Sequence, residues 1–221
     1  MGEIASSWRR RAFPPNVVDL PELRVDALIA LGDEGITVWT VPRPAIAARL
    51  LRAGSPQERR RVLGQAWSSI LDDCAGEAAK AAGGPHAALA RLLEQAIHAV
   101  QAGHTAAGQA LAASVLDTLM RTAFVDEYRS DLTRHPRNPN AKVMDHYDEL
   151  TIGEAMVLRP IWFAYRPQET PAQRASSSAF ARHATAHHLH DRQLSRRNAV
   201  QAIMLATALL AFMAVLDQDI A

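Results

Sequence analysis

Apolar residues recur every three or four positions over most of the chain, the spacing of helices that bury one face. The stretch from Pro21 to Leu31 suits a short helix. Gly35-Ile36-Thr37-Val38-Trp39-Thr40-Val41 reads as one short strand or extended run, and with no partner strand nearby it builds no sheet. Pro44 fits the first turn of a helix running to about Arg52. Ser55-Pro56-Gln57-Glu58 is a capping-box start, and Val62, Leu63, Trp67, Ile70, Leu71 and Cys74 continue behind it at helical spacing up to Gly83-Gly84-Pro85. Leu89, Leu92, Leu93, Ala96, Ile97 and Val100 form the next stripe. Gly103 breaks it, Thr105 is placed to cap, and a further helix runs through Leu111, Val115, Leu119 and Phe124 to about Asp131. Long helices joined by short breaks predict antiparallel neighbours in a bundle.

Residues 133–141 carry two prolines and two asparagines and predict a loop. Thr151-Ile152-Gly153-Glu154 opens a second capping box, with a helix to about Tyr165 that Pro160 is expected to kink. Residues 166–170 form another loop. From Asn198 to Asp217 the pattern is apolar all round. Within it, Ala199 to Leu216 is a run without a charge, long enough for a tail anchor. Its six alanines, with Gln201 and Thr207 interrupting it, favour instead the centre of a bundle or a dimer interface. The fold expected is all-α: an irregular N-terminal segment, 1–54, packed on a helical bundle, 55–221.

Composition narrows the class. The chain has 221 residues, 24 basic and 23 acidic, so it lacks the broad basic surface of a protein that coats duplex DNA. With 48% apolar residues it is not disordered. Forty-two alanines, and 22 arginines against two lysines, agree with helix. Cys74 is the single cysteine, which excludes a disulfide framework and a thiolate zinc cluster and favours a reducing, cytoplasmic setting. The N-terminal Ser6-Ser7-Trp8-Arg9-Arg10-Arg11-Ala12-Phe13-Pro14-Pro15 lacks the apolar stretch of a signal peptide; it reads as a charged, frayed end or as an arm that touches phosphate.

Four of the nine histidines crowd into Arg182-His183-Ala184-Thr185-Ala186-His187-His188-Leu189-His190. An Arg followed by a His after four to six residues also occurs at Arg91/His98 and Arg129/His135, so spacing alone is weak. Context separates the pairs. Arg91/His98 lies inside a regular helix, and Arg129/His135 straddles a helix end and a loop. Arg182 has a second polar residue, His183, directly after it and a long apolar helix downstream. Residues 174–197 hold Arg174, Arg182, Arg192, Arg196 and Arg197 against Asp191 alone.

Phe180-x-Arg182-His183-Ala184-Thr185-Ala186-His187, followed by Ser195-Arg196-Arg197-Asn198-Ala199 and the apolar helix, resembles the HEPN superfamily. Those are compact helical bundles, many of them metal-independent endoribonucleases of toxin–antitoxin, abortive-infection and CRISPR-linked systems. The motif covers about 40 residues, and the HEPN-like part is 152–221. The resemblance implies a homodimer with a composite site in which Arg182 and His187 act on RNA and His183 fills the polar position. It also implies an antitoxin or regulatory partner, no cofactor and no membrane. Toxin members paired with nucleotidyltransferase antitoxins usually have Tyr two residues after the His; Leu189 stands there, a departure from that subgroup.

The chemistry makes sense without the resemblance. RNA cleavage needs a base for the 2′-hydroxyl, an acid for the leaving oxygen, and positive charge on the phosphorane. Histidine titrates near working pH and serves the first two roles. The forked, always-charged guanidinium serves the third. Residues five apart on one helix diverge by about 140°, so two chains across a twofold axis converge the pairs better than one does. Arg174, Arg192, Arg196 and Arg197 are the candidate RNA contacts. A second reading is a bundle that binds RNA or a partner without cutting. A third takes His183, His187 and His190, at i, i+4 and i+7, as transition-metal ligands; Ala184 stands where a zinc-protease motif needs Glu. The acidic zone of Asp126, Glu127, Asp145, Asp148 and Glu149 reads as a solvated face. Cys74, Trp39, Trp67 and Trp162 read as core.

Overall fold

The computed structural model describes residues 12–124, 129, 130, 133, 150–166, 179–187 and 193–220; the side chains of His187 and of 218–220 lie outside that description. Among the described residues the regular structure is all helical: α1 Val25–Gly32, α2 Pro44–Arg52, α3 Pro56–Gln65, α4 Trp67–Lys80, α5 Ala87–Gln101, α6 Thr105–Ala123, α7 Ile152–Ala164, α8 Arg182–His187 and α9 Arg196–Ile220.

Local signals explain some of the starts. Ser55 Oγ accepts the Glu58 amide at 3.3 Å and Pro56 takes the first position of α3. The Glu58 carboxylate reaches back to the Gly54 amide at 2.7 Å, one residue upstream of the expected box. At α7 the box closes on both sides: the Glu154 amide donates to Thr151 Oγ1, and the Thr151 amide donates to Glu154.

Other boundaries differ from the sequence reading. The single helix expected from Ser55 to Gly83 is two, broken at Ala66, whose φ, ψ of −100°, 10° leave the helical basin. Thr105 is the first residue of α6, not its cap; His104 holds the cap position without a side-chain bond. That helix stops at Ala123 because Phe124 is extended, short of Asp131. The run 35–41 is irregular, not a continuous extended segment: Gly35 and Thr40 have positive φ of 69° and 59°, and Trp39 and Thr40 lie in a bend. It pairs with no strand among the described residues and is tied down by Asn16, whose Nδ2 donates to the Val38 and Pro42 carbonyls at 3.1 and 2.8 Å. Apart from Thr133, the loop expected at 133–141 lies outside the described residues, as do residues 1–11.

The core is one continuous cluster from Phe13 and Val17 through Met213. α9 runs through its middle and packs on α3, α4, α5, α6 and α7. Residues 198–210 are buried without a gap. Among the described residues this one helix is long and apolar enough to cross a membrane, with mean hydropathy 2.3, yet 78% of that window is buried inside the fold. Its polar residues are satisfied there: Thr207 Oγ1 donates to the Ile203 carbonyl at 2.8 Å and Asn198 Nδ2 to the Gln193 carbonyl at 3.0 Å. The same chain supplies the cover the apolar helix needs. Only toward its far end are Val215 and Leu216 exposed. α5 and α6 meet closely at Gly108, where an added Cβ would lie 2.4 Å from Val100 Cγ2 and 2.6 Å from the Ala96 carbonyl oxygen.

Candidate functional site

Small side chains set the docking of α8. Ala181, Ala184 and Thr185, spaced i, i+3, i+4, are buried, and the helix packs on α6. Gln109 Nε2 of α6 donates to Thr185 Oγ1 at 2.9 Å, and Thr185 Oγ1 donates to the Ala181 carbonyl at 3.0 Å. Just upstream, the Phe180 amide donates to Gln201 Oε1 of α9 at 3.4 Å. Gln201 Nε2 in turn donates to the Glu34 and Gly35 carbonyls at 2.6 and 2.7 Å. Gln201, a break in an apolar stripe by sequence, thus holds the entry to α8 against the turn after α1.

This docking leaves Arg182 at an edge, its side chain 22% exposed. Its Nη2 lies 2.9 Å from Asp117 Oδ2, and its Cζ lies 5.7 Å from the centre of the Tyr165 ring. Asp117 also accepts from Arg121 Nε at 3.0 Å and from the Tyr165 hydroxyl at 3.0 Å. Burial works to raise the Asp117 carboxyl, but the Arg121 bond, the Arg182 charge and the Tyr165 hydroxyl outweigh it and hold it below the usual carboxylate range. Burial and then the Asp117 charge push the Tyr165 phenol up, so it stays a neutral donor. Two guanidinium groups share one carboxylate here. A guanidinium carries five N–H donors, so an Asp117 pair leaves donors for a phosphate oxygen.

His183 is exposed on α8, and His187 completes the helix in backbone. The His187 side chain, His190, Arg174 and Arg192 lie outside the described residues. Among the described residues no group of three His, Cys, Asp or Glu side chains is placed to hold a metal; the alternative set His183, His187 and His190 falls mostly beyond them. Arg196 and Arg197 are exposed at the start of α9, on different neighbours from Arg182. The Arg196 guanidinium lies 4.6 Å over the Trp67 ring of α4, and the Arg197 stem passes beside Gly64 of α3.

Sequence reading missed Asp117, Arg121, Tyr165 and Gln109. The signal available for the first two was their i, i+4 spacing on α6. Arg91 and His98 are exposed on the regular face of α5, and His135 lies outside the described residues, as does the acidic zone of Asp126, Glu127 and 145–149. Cys74 is fully buried, and burial pushes its thiol up to about 12. Trp39 and Trp162 are buried, while Trp67 is half-buried beneath Arg196. An apolar cavity of about 210 Å³ between α1 and α7 holds one charged lining residue, Arg159, bound to Asp33 at 2.6 Å.

Comparison of the chain with known protein families, with curated proteins and with solved structures gives no match.

Proposed function

We propose that this protein is a metal-independent endoribonuclease of a defence or toxin type, acting on single-stranded RNA in the cytoplasm. Arg182 stabilises the phosphorane, His187 moves the proton, and His183 orients its neighbours. The observation that supports this reading is the setting of Arg182: its guanidinium is steered by Asp117 and Tyr165 at the edge of α8 yet remains partly exposed. A group held in this way is preorganised for a developing charge. Arg182 and His187 stand five positions apart on one short helix, so the complete site takes Arg from one protomer and His from the other of a homodimer.

A non-cutting RNA- or partner-binding bundle is the second reading, and one observation favours it. The Asp117 carboxylate already answers part of the Arg182 charge.

The test incubates the wild type, His187→Ala and Arg182→Ala with labelled single-stranded RNA, with and without EDTA. The nuclease reading expects EDTA-resistant cutting to 2′,3′-cyclic phosphate ends. It expects losses of about 10²–10⁴-fold for His187→Ala and about 10²–10³-fold for Arg182→Ala. Binding without cutting selects the second reading. Cutting abolished by EDTA selects the metal set His183, His187 and His190. A monomer by light scattering at micromolar concentration removes the composite site.

A further inference from the structure

The α1 helix is apolar on more than the side it gives to the core. Leu31 is buried and Leu28 packs on the core, while Val25 and Ile29 are 61% and 43% exposed. Both exposed side chains also line the cavity of about 210 Å³ between α1 and α7, so the cavity opens to solvent along them. Leu31, Ile36, Val38 and Met156, all buried, form its inner wall. Among the described lining residues, Arg159 alone has a polar side chain. Water is poorly held in such a space, since an ordered water needs about two to four polar partners.

The Arg159 head is fixed from three sides. Its stem runs past Gly32 of α1, where an added Cβ would lie 2.9 Å from its Cδ. Its Nε and Nη2 reach Asp33 Oδ1 at 2.7 and 2.6 Å, and its Cζ lies 5.8 Å from the centre of the Phe163 ring. A guanidinium carries five N–H donors, so the Asp33 pair leaves donors for a ligand oxygen. The same pair cancels the positive charge beside the cavity. Hydrogen bonds are on offer there without a net charge to select an anion.

A concave apolar space with one placed polar group is the general form of a small-molecule site. Volume sets the length of the ligand. An apolar cavity of roughly 150 Å³ takes the six carbons of benzene, and 210 Å³ in proportion takes about eight.

We infer that the cavity between α1 and α7 binds an uncharged amphiphile: an aliphatic chain of about eight carbons whose hydroxyl or carbonyl oxygen accepts from Arg159. The chain replaces water against Val25 and Ile29. This site stands whether or not the protein acts on RNA.

The experiment titrates the full chain with 1-butanol, 1-hexanol, 1-octanol and 1-decanol by isothermal calorimetry. One alcohol should bind per chain, with the dissociation constant falling roughly fourfold per added methylene up to octanol and no further at decanol. Octanoate and octylammonium should bind about tenfold more weakly than octanol, because an ion sheds its water with no net charge to receive it. Arg159→Met keeps the stem and should weaken octanol roughly tenfold, with the gain per methylene unchanged. Ala155→Phe, on the lining, should abolish binding with the melting temperature held or raised. Ile29→Trp at the exposed mouth should do the same, and it serves if the first variant fails to fold. A gain that continues to decanol, or octanol binding unchanged in both filled variants, would mean partition onto the surface and overturn the site. No heat and no rise in melting temperature at saturating octanol would also overturn it, as would octanoate or octylammonium binding as tightly as octanol. Light scattering with and without octanol reads the other occupant. A dimer that octanol dissociates would assign the cavity to a second copy of the chain and overturn the small-molecule site.

Discussion

The Thr37 hydroxyl donates a 3.2 Å hydrogen bond to the carbonyl of Met156, 119 positions away. That carbonyl sits four residues before Pro160, which has no N–H to give it. A side chain from the N-terminal segment thus replaces the backbone donor that proline removes, and α7 continues to Ala164. Thr37 Oγ1 also accepts the Trp39 amide at 3.1 Å, fixing the bend beside it.

Thr37→Val should therefore destabilise the fold by about 1–3 kcal/mol, the cost of a buried polar group left without its partner. Pro160→Ala restores the missing amide. In a double-mutant cycle by urea denaturation, the Thr37→Val penalty should be smaller in the Pro160→Ala background. Equal penalties would mean that the two residues act independently.

Gln201→Leu removes three hydrogen bonds at once, to Glu34, Gly35 and Phe180. Thermal unfolding should report a loss of about 2–3 kcal/mol. RNA cleavage should fall further than stability explains, because the entry to α8 is released. Activity measured well below the melting temperature separates the two effects.

Asp117 is held below its ordinary range in the fold. Its contribution is then present above the unfolded value of about 3.9 and lost as pH falls through the lower folded value. Wild type should exceed Asp117→Asn in stability at neutral pH, with the gap closing in acid below about pH 4. A gap constant from pH 7 to pH 3 would show that the carboxylate charge contributes nothing. In the same variant, loosened steering of Arg182 should lower kcat more than it raises KM.

Cys74 is fully buried with its thiol pushed up to about 12. Ellman's reagent at pH 8 should leave it unlabelled in the native protein, with labelling that follows urea unfolding. Labelling at the rate of a free thiol would contradict the burial.

Local chemistry was legible in the sequence; assembly was not. Pro44, Ser55 and the Thr151–Glu154 box announce helices because each signal acts within one turn. The break falls at Ala66, two residues after Gly64, and the apolar stripe from Val62 to Ile70 continues across it, so periodicity reads straight through. Arg182 and His183 could be singled out by residue type. That Asp117 and Tyr165 steer Arg182 depends on α8 docking through Gln109 and Thr185, 76 positions apart, which no local pattern encodes. The all-round apolar helix left bundle centre, dimer face and membrane open; its burial against five other helices resolves how that surface is covered.

The placement of α9 governs how the chain comes to be folded in the cell. Every helix it packs on is synthesised before it. As the chain leaves the ribosome, α4, α5 and α6 must wait with the faces of Ile70, Ile97 and Leu116 uncovered until residues 199–213 emerge. A stop codon ahead of Arg196 would release a protein with a furrow through its middle, a substrate for chaperones and proteases and not a shorter working version. Closure of the core is thereby tied to the synthesis of α9.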